Sequence, residues 1–200
     1  MKNVLILVLV IFLACCKNNS TVIEGSLTSD RYDNEWVYWV PFKYDSLKTV
    51  DSALIQKNAF KLLISDHNRD KIGIIRVRYQ LRLALQDILV YTEPGIVHVH
   101  LDSLSRSTGT PLNDVLQNWK DRKHSYDTEI YDMRRKYRKA DDSEKEKIKE
   151  QMEKASTAYK NDIYQIILEN KNNEAGKFIY SINKRQFTDE QVKEIEDYSD

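Results

Sequence analysis

Chemistry in this chain would have to come from a small number of places. Cys15 and Cys16 are adjacent and are its only thiols. His98 and His100 stand two residues apart, with Asp102 beyond. In a strand that spacing turns the histidines to one face, while Val97, Val99 and Leu101 take the other. A His-x-His pair can open a metal site, but such a site needs three or four ligands. The remaining histidines, His67 and His124, are joined to the pair by no motif, so no metal is expected and a solvated strand face is. Glu93 precedes Pro94-Gly95 and offers one carboxylate at a tight turn, whereas glycoside chemistry needs a second one opposite. No Gly-x-Ser-x-Gly elbow or phosphate-cradling Gly-rich loop is present. A serine–histidine triad is defined by geometry rather than by spacing. Trp36, Tyr38 and Trp39 are rings on which a glycan or small ligand could stack. No catalytic residue and no cofactor follow from these features, and a non-enzymatic protein is the expectation.

The cysteines have a clearer meaning. Lys2 is a positive start, Val4 to Leu13 is an unbroken apolar run, and Ala14 is the small residue before Cys15. Lys17-Asn18-Asn19-Ser20 turns polar at once. The apolar run is too short for a hydrocarbon core, which takes about 20 residues. It reads as an export signal to be left out of the fold. The segment resembles a bacterial lipoprotein signal, in which the cysteine is lipidated and becomes the first residue. Cys15, with Ala14 at the cut, is the expected attachment site; Cys16, with Leu13 three residues back, is the alternative. The implied boundaries are a signal over 1–14 and a tether over 15–20. Several acyl chains, at about 0.8 kcal/mol per buried methylene, suffice for stable membrane anchoring. The polar residues after the cysteine lack the acidic run associated with surface export. The expected location is therefore the cell envelope, at the outer membrane and facing the periplasm.

With both thiols at the anchor, none remains for a disulfide or a Cys-x-x-Cys pair in the folded body. Lys plus Arg and Asp plus Glu each total 31, for a formal net charge of zero. No global field draws nucleic acid, no nucleic-acid motif is present, and no nucleic-acid partner is expected. Only 5 Gly and 3 Pro argue against a disordered body, and 12 Tyr suit sites with one dry and one wet end. At 200 residues the chain is long enough for one compact domain or two small ones.

The elements that must position these residues divide at about residue 108. From 21 to 107 short apolar runs alternate with polar turns, which predicts an antiparallel β-sandwich or open barrel. Strands are expected at Thr21–Leu27, Glu35–Val40, Lys48–Ile55, Phe60–Ile64, Ile72–Tyr79, Leu85–Tyr91 and Ile96–Leu101. Gln56-Lys57-Asn58 and Glu93-Pro94-Gly95 are expected turns. Trp36, Tyr38 and Val40 share a face, and Leu81–Leu89 can also be drawn as a helix.

From 108 to 200 the period becomes helical, so the fold class is α+β, with a helical hairpin and short C-terminal helices. Thr110 and Pro111 mark a helix start. Leu112, Leu116, Trp119, Tyr126, Ile130, Met133 and Tyr137 form its stripe, which only Lys123 breaks. Ala140–Ser143 breaks the helix, and Ser143 with Glu146 reads as a capping box for the next. That helix carries Ile148, Met152, Ala155, Tyr159, Ile163 and Ile166 on one side. Glu174–Ile182 reads as a small helix, and Thr188 with Gln191 caps a last one over Asp189–Tyr198. The basic stretch Arg134–Lys139 runs into mixed acidic residues and reads as the wet side of the hairpin.

Four segments carry a resemblance: Thr21-Val22-Ile23-Glu24-Gly25, Val50-Asp51-Ser52 with Phe60, Tyr91-Thr92-Glu93-Pro94-Gly95, and Gly109-Thr110-Pro111-Leu112-Asn113-Asp114. In this order, over roughly residues 20 to 118, the chain resembles domain of unknown function 4369, found in lipoproteins of Bacteroides-like bacteria. The helical stretch looks like the linker of those proteins, down to Asn172–Gly176. In many of them a thioredoxin-like oxidoreductase domain follows. That chemistry needs an attacking and a resolving thiol, and with lipidation using one amino-terminal cysteine no such pair remains in the folded body. The resemblance implies an address and a fold without an activity. The expected function is a non-catalytic envelope lipoprotein that binds or positions a protein partner. The alternatives are an accessory partner of a thioredoxin-like oxidoreductase and a glycan or small-ligand module.

Overall fold

The structure, a computed structural model, describes residues 20–42, 50–77 and 85–197. The signal segment with Cys15 and Cys16 lies outside the described residues, as do Lys48–Thr49, Arg78–Tyr79, Leu81–Ala84 and Tyr198 of the expected elements.

Among the described residues, eight strands make two separate four-stranded sheets. β1 (Thr21–Leu27), β4 (Ala59–Leu63), β7 (Gly95–Leu101) and β8 (Arg106–Thr108) form sheet A in the order β4-β1-β7-β8. β2 (Trp36–Pro41), β3 (Asp51–Leu54), β5 (Ile72–Val77) and β6 (Ile88–Tyr91) form sheet B in the order β3-β2-β5-β6. The expected α+β class holds, with the sheets stacked and not closed into a barrel. One pairing departs from the antiparallel expectation: β1 runs parallel to β7, Thr21 beside Gly95 and Leu27 beside Leu101. Strand β8 is absent from the expected elements, because three residues are too few to show a period. The helical alternative for Leu81–Leu89 fails at its described end, where Ile88 and Leu89 belong to β6.

Alternation places Ile23, Leu62, Val97, Val99 and Leu101 of sheet A against Val37, Trp39, Ile75, Val77 and Val90 of sheet B in one dry core. Two glycines make room for its largest rings. A Cβ on Gly25 would fall 2.0 Å from Phe60 Cζ, and one on Gly73 would fall 2.3 Å from Trp39 Cε2. Pro41 is the last residue of β2, where a missing N–H costs least.

The two sides of the sandwich are closed differently. On one, β3 turns into β4 through Lys57-Asn58, both in the left-handed region at φ 53° and 59°. The chain thereby passes from sheet B to sheet A, and the Asp33 carboxylate accepts both turn amides at 3.0 and 2.8 Å. On the other side β6 and β8 are edge strands, and α1 (Pro111–Tyr137) lies along them. Asn113 bonds to the Tyr91 main chain, the Gln117 Oε1 accepts from Ser107 N–H at 2.9 Å, and Lys120 Nζ donates to the Ser105 carbonyl. These side chains occupy edge groups that would otherwise recruit another strand.

Helix α1 starts where the sequence pattern places it, with Thr110 as N-cap. One N-terminal amide finds a carboxylate elsewhere: Glu93 Oε1 accepts from Leu112 N–H at 2.7 Å. α2 (Asp142–Asn170) returns antiparallel, α3 (Glu174–Asn183) follows, and α4 (Asp189–Glu196) ends the described chain. The cap of α2 is not Ser143. Asp141 holds that position and accepts from Glu144 N–H at 2.9 Å, because the chain turns helical two residues earlier than the capping-box pattern indicates. The Thr188–Gln191 capping box of α4 is formed as expected. Leu116, Ile163, Tyr164, Ile167, Ala175, Ile179 and Ile195 build a second core, which also packs on Tyr91.

Candidate functional site

The outer face of sheet A carries the His98 and His100 pair singled out by type and spacing. Its register produces three cross-strand rows. Leu63, Val22 and Ile96 form the first; Lys61, Glu24, His98 and Thr108 the second; Ala59, Ser26, His100 and Arg106 the third. His98 and His100 do share this face, with Val97 and Val99 buried behind them. A shallow groove of about 430 Å³ runs between Glu24, Ser26, His98, His100, Arg106 and Thr108.

Within it Ser26 Oγ lies 2.8 Å from His100 Nδ1, and His100 Nε2 lies 3.8 Å from Asp102 Oδ2. A hydroxyl, an imidazole and a carboxylate in line are the parts of a nucleophile triad. The spacing falls short of one, since 3.8 Å exceeds a hydrogen bond. The Asp102 carboxylate instead accepts from Leu104 N–H at 2.6 Å. β1 and β7 are both central strands, so their amides are spent in ladders on either side and leave no backbone pair aimed at an oxyanion. Arg106, the cross-strand neighbour of His100, is held by Asp121 at 2.7 Å. Glu24 is likewise held by Lys61 at 2.9 Å. Among the described residues no three His, Cys, Asp or Glu side chains are grouped to hold a metal ion.

Other singled-out residues are dispersed. The Glu93 carboxylate caps α1 and is thereby a structural group. His67 is exposed beside Ser65, and His124 lies on the wet side of α1. Trp39 is fully buried and donates to the Val90 carbonyl at 3.4 Å, which removes it as a stacking surface. Trp36 and Tyr38 face outward on sheet B, with Trp36 at 45% exposure. Arg134–Arg135–Lys136 and Arg138–Lys139 are on the wet side of the helix end, with Arg135 3.5 Å from Asp132.

A second feature is not legible in the sequence. Beyond Gln117 the only buried residue of α1 is Ile130, and α2 has none before Ile163. The outer parts of the two helices thus form an arm held by a thin seam. At about 1.5 Å per residue, the residues of α1 past Lys120 carry it roughly 25 Å away from β8. An open groove of about 610 Å³ lies along the arm, between Arg122, Tyr126 and Met133 on α1 and Lys154, Tyr159 and Asp162 on α2. Tyr126 and Tyr159 stack at its centre, 4.3 Å apart and within 7° of parallel. Burial, with Asp127 and Tyr126 nearby, pushes the Tyr159 phenol up to about 12. Helical periodicity puts each tyrosine in the stripe of its own helix, but their meeting depends on hairpin register.

Set against family models, curated proteins and solved structures, the chain matches none of them. No described helix is long and apolar enough to cross a membrane.

Proposed function

We propose that this chain is a non-catalytic, lipid-anchored envelope protein whose α1–α2 arm holds a protein partner. The observation that carries the reading is the open groove around the stacked Tyr126–Tyr159 pair, on an arm with almost no buried side chain of its own. Rigid aromatic rings flanked by charged groups are the surface composition that protein interfaces favour. The flanking groups, Arg122 with Asp162 at 3.7 Å and Lys154 with Glu150 at 2.7 Å, supply a polar rim.

The anchor is assigned to Cys15, with Cys16 as the alternative, on the outer membrane and facing the periplasm. It follows from the signal-like amino end and from the resemblance to envelope lipoproteins. The tether joins the fold at Thr21, the end of sheet A at which α1 also begins. From there α1 runs along β8 toward the opposite end, so the arm is presented away from the anchored end.

The test is photo-crosslinking in intact envelopes with a benzophenone side chain at Tyr126, compared with one at the exposed Lys193 of α4. A defined protein adduct from position 126 and none from 193 is expected. Absence of any adduct at 126 would overturn the reading. A captured partner bearing Cys-x-x-Cys would identify the chain as an accessory to a thioredoxin-like oxidoreductase.

A further inference from the structure

We infer that the end of sheet A nearest the tether is a membrane seat, formed by Leu63, Val22 and Ile96 and resting on the lipid surface. The inference builds on the anchored reading above.

The three residues are consecutive cross-strand neighbours on β4, β1 and β7, and all point out of the sandwich. Leu63 is 65% exposed and Ile96 47%, with Val22 partly exposed between them. Other exposed large apolar side chains, Trp36, Phe42, Tyr131 and Ile182, lie on or beside β2 and on the helices, outside this row. Position matters more than area here. Val22 is the second residue of β1 and Ile96 the second of β7, so the row lies at the end where the strands begin. The Glu93–Pro94 turn at this end carries exposed Pro94, and the β4–β5 loop at the same end carries exposed Asp66, His67, Asp70 and Lys71, which suit the headgroup layer. Moving away from that end, the same face becomes charged or polar, through Lys61, Glu24 and His98 to Ser26, His100 and Arg106. An apolar row at one end and polar rows behind it match the gradient from acyl boundary to water.

The tether selects the occupant. Thr21 follows Cys15 by six residues and Cys16 by five. At no more than about 3.6 Å per residue, the row is confined within roughly 20 Å of the acylated cysteine. Three aliphatic side chains would not hold a free protein on a bilayer. A short tether makes the second contact intramolecular, at an effective concentration in the millimolar range, and a weak patch then suffices. The row would fix the orientation of the sandwich and keep the arm pointing outward.

The test uses the full-length lipidated protein in vesicles of phosphatidylethanolamine and phosphatidylglycerol, with a benzophenone side chain at Leu63, Ile96 or Tyr131. Positions 63 and 96 face outward, and a thermal melt matching the parent confirms folding. Mass spectrometry should find phospholipid adducts at 63 and 96 at least tenfold above those at 131, which lies on the arm. Equal yields at all three positions, or protein adducts at 63 and 96, would overturn the seat. Flotation and the mass of the amino-terminal peptide report the anchor separately. A chain that floats without lipid adducts at 63 and 96 loses the seat alone. One that neither floats nor carries acyl groups loses the anchor and the seat together.

Discussion

The side-chain amide of Asn113 satisfies both main-chain groups of Tyr91, accepting from its N–H at 2.9 Å and donating to its carbonyl at 2.8 Å. One residue of a helix thereby does what a neighbouring strand would do at the edge of sheet B. The same amide donates to Thr110 Oγ1 at 2.7 Å, which ties the edge to the helix start. Asn113 is fully buried, so the bonds are made where water cannot replace them.

Asn113→Ala is expected to destabilise the protein by about 2 to 4 kcal/mol, since it strands a buried donor and a buried acceptor together. Gln117→Ala removes one acceptor, from Ser107 N–H, and should cost about 1 to 2 kcal/mol. Urea unfolding curves with unchanged slope would measure both. Equal and negligible shifts would mean that α1 does not protect the sheet edges.

The start of α2 distinguishes sequence pattern from structure. Asp141→Ala should cost about 1 kcal/mol, because the Asp141 carboxylate is the group that accepts from Glu144 N–H. Ser143→Ala should be close to neutral, as Ser143 stands inside the first turn and is exposed. Paired thermal melts decide it; the reverse order would restore the Ser143 capping box.

Alkaline titration should separate the tyrosines. Tyr91, Tyr159 and Tyr164 are each pushed up to about 12. For Tyr91 burial leads, followed by Asp70, Glu174 and Glu93. For Tyr164 burial is joined by its hydrogen bond to Glu194. A phenol with a raised folded pKa binds more protons folded than unfolded across the gap between the two values. Stability should therefore be level below about pH 10 and fall as pH climbs from about 10 toward 12. Phenolate absorbance at rising pH should show a late-ionising class that merges with the rest once the chain unfolds. A single midpoint near the ordinary phenol value in the folded protein would refute the burial of these rings.

The Ser26–His100 contact should be chemically quiet. A fluorophosphonate probe is expected to leave Ser26 unmodified, because His100 makes no orienting hydrogen bond to Asp102 and the ladder-bonded amides of β1 and β7 offer no pair to an oxyanion. Detection of the Ser26 adduct by mass spectrometry would require a hydrolytic function.

Local order was readable from the residues alone. Alternation over six or seven residues located β1, β2, β5 and β7 and paired Val97 and Val99 on the face behind His98 and His100. Pro111 marked the first turn of α1, and Thr188 with Gln191 marked that of α4, since caps act across three or four residues. The placement of both thiols in the amino-terminal segment also needed no coordinates. The tertiary structure alone decided that β1 lies parallel to β7, that Ser26 meets His100 across 74 positions, and that Tyr126 faces Tyr159. It decided too that Glu93, Asn113 and Gln117 serve edges and caps. The reason is physical: a short-range period is written into neighbouring residues, while a long-range pairing is chosen among many near-equal partners by the burial of a whole core. Polar residues such as Asn113 acquire their roles only after that core has brought their partners within hydrogen-bonding reach.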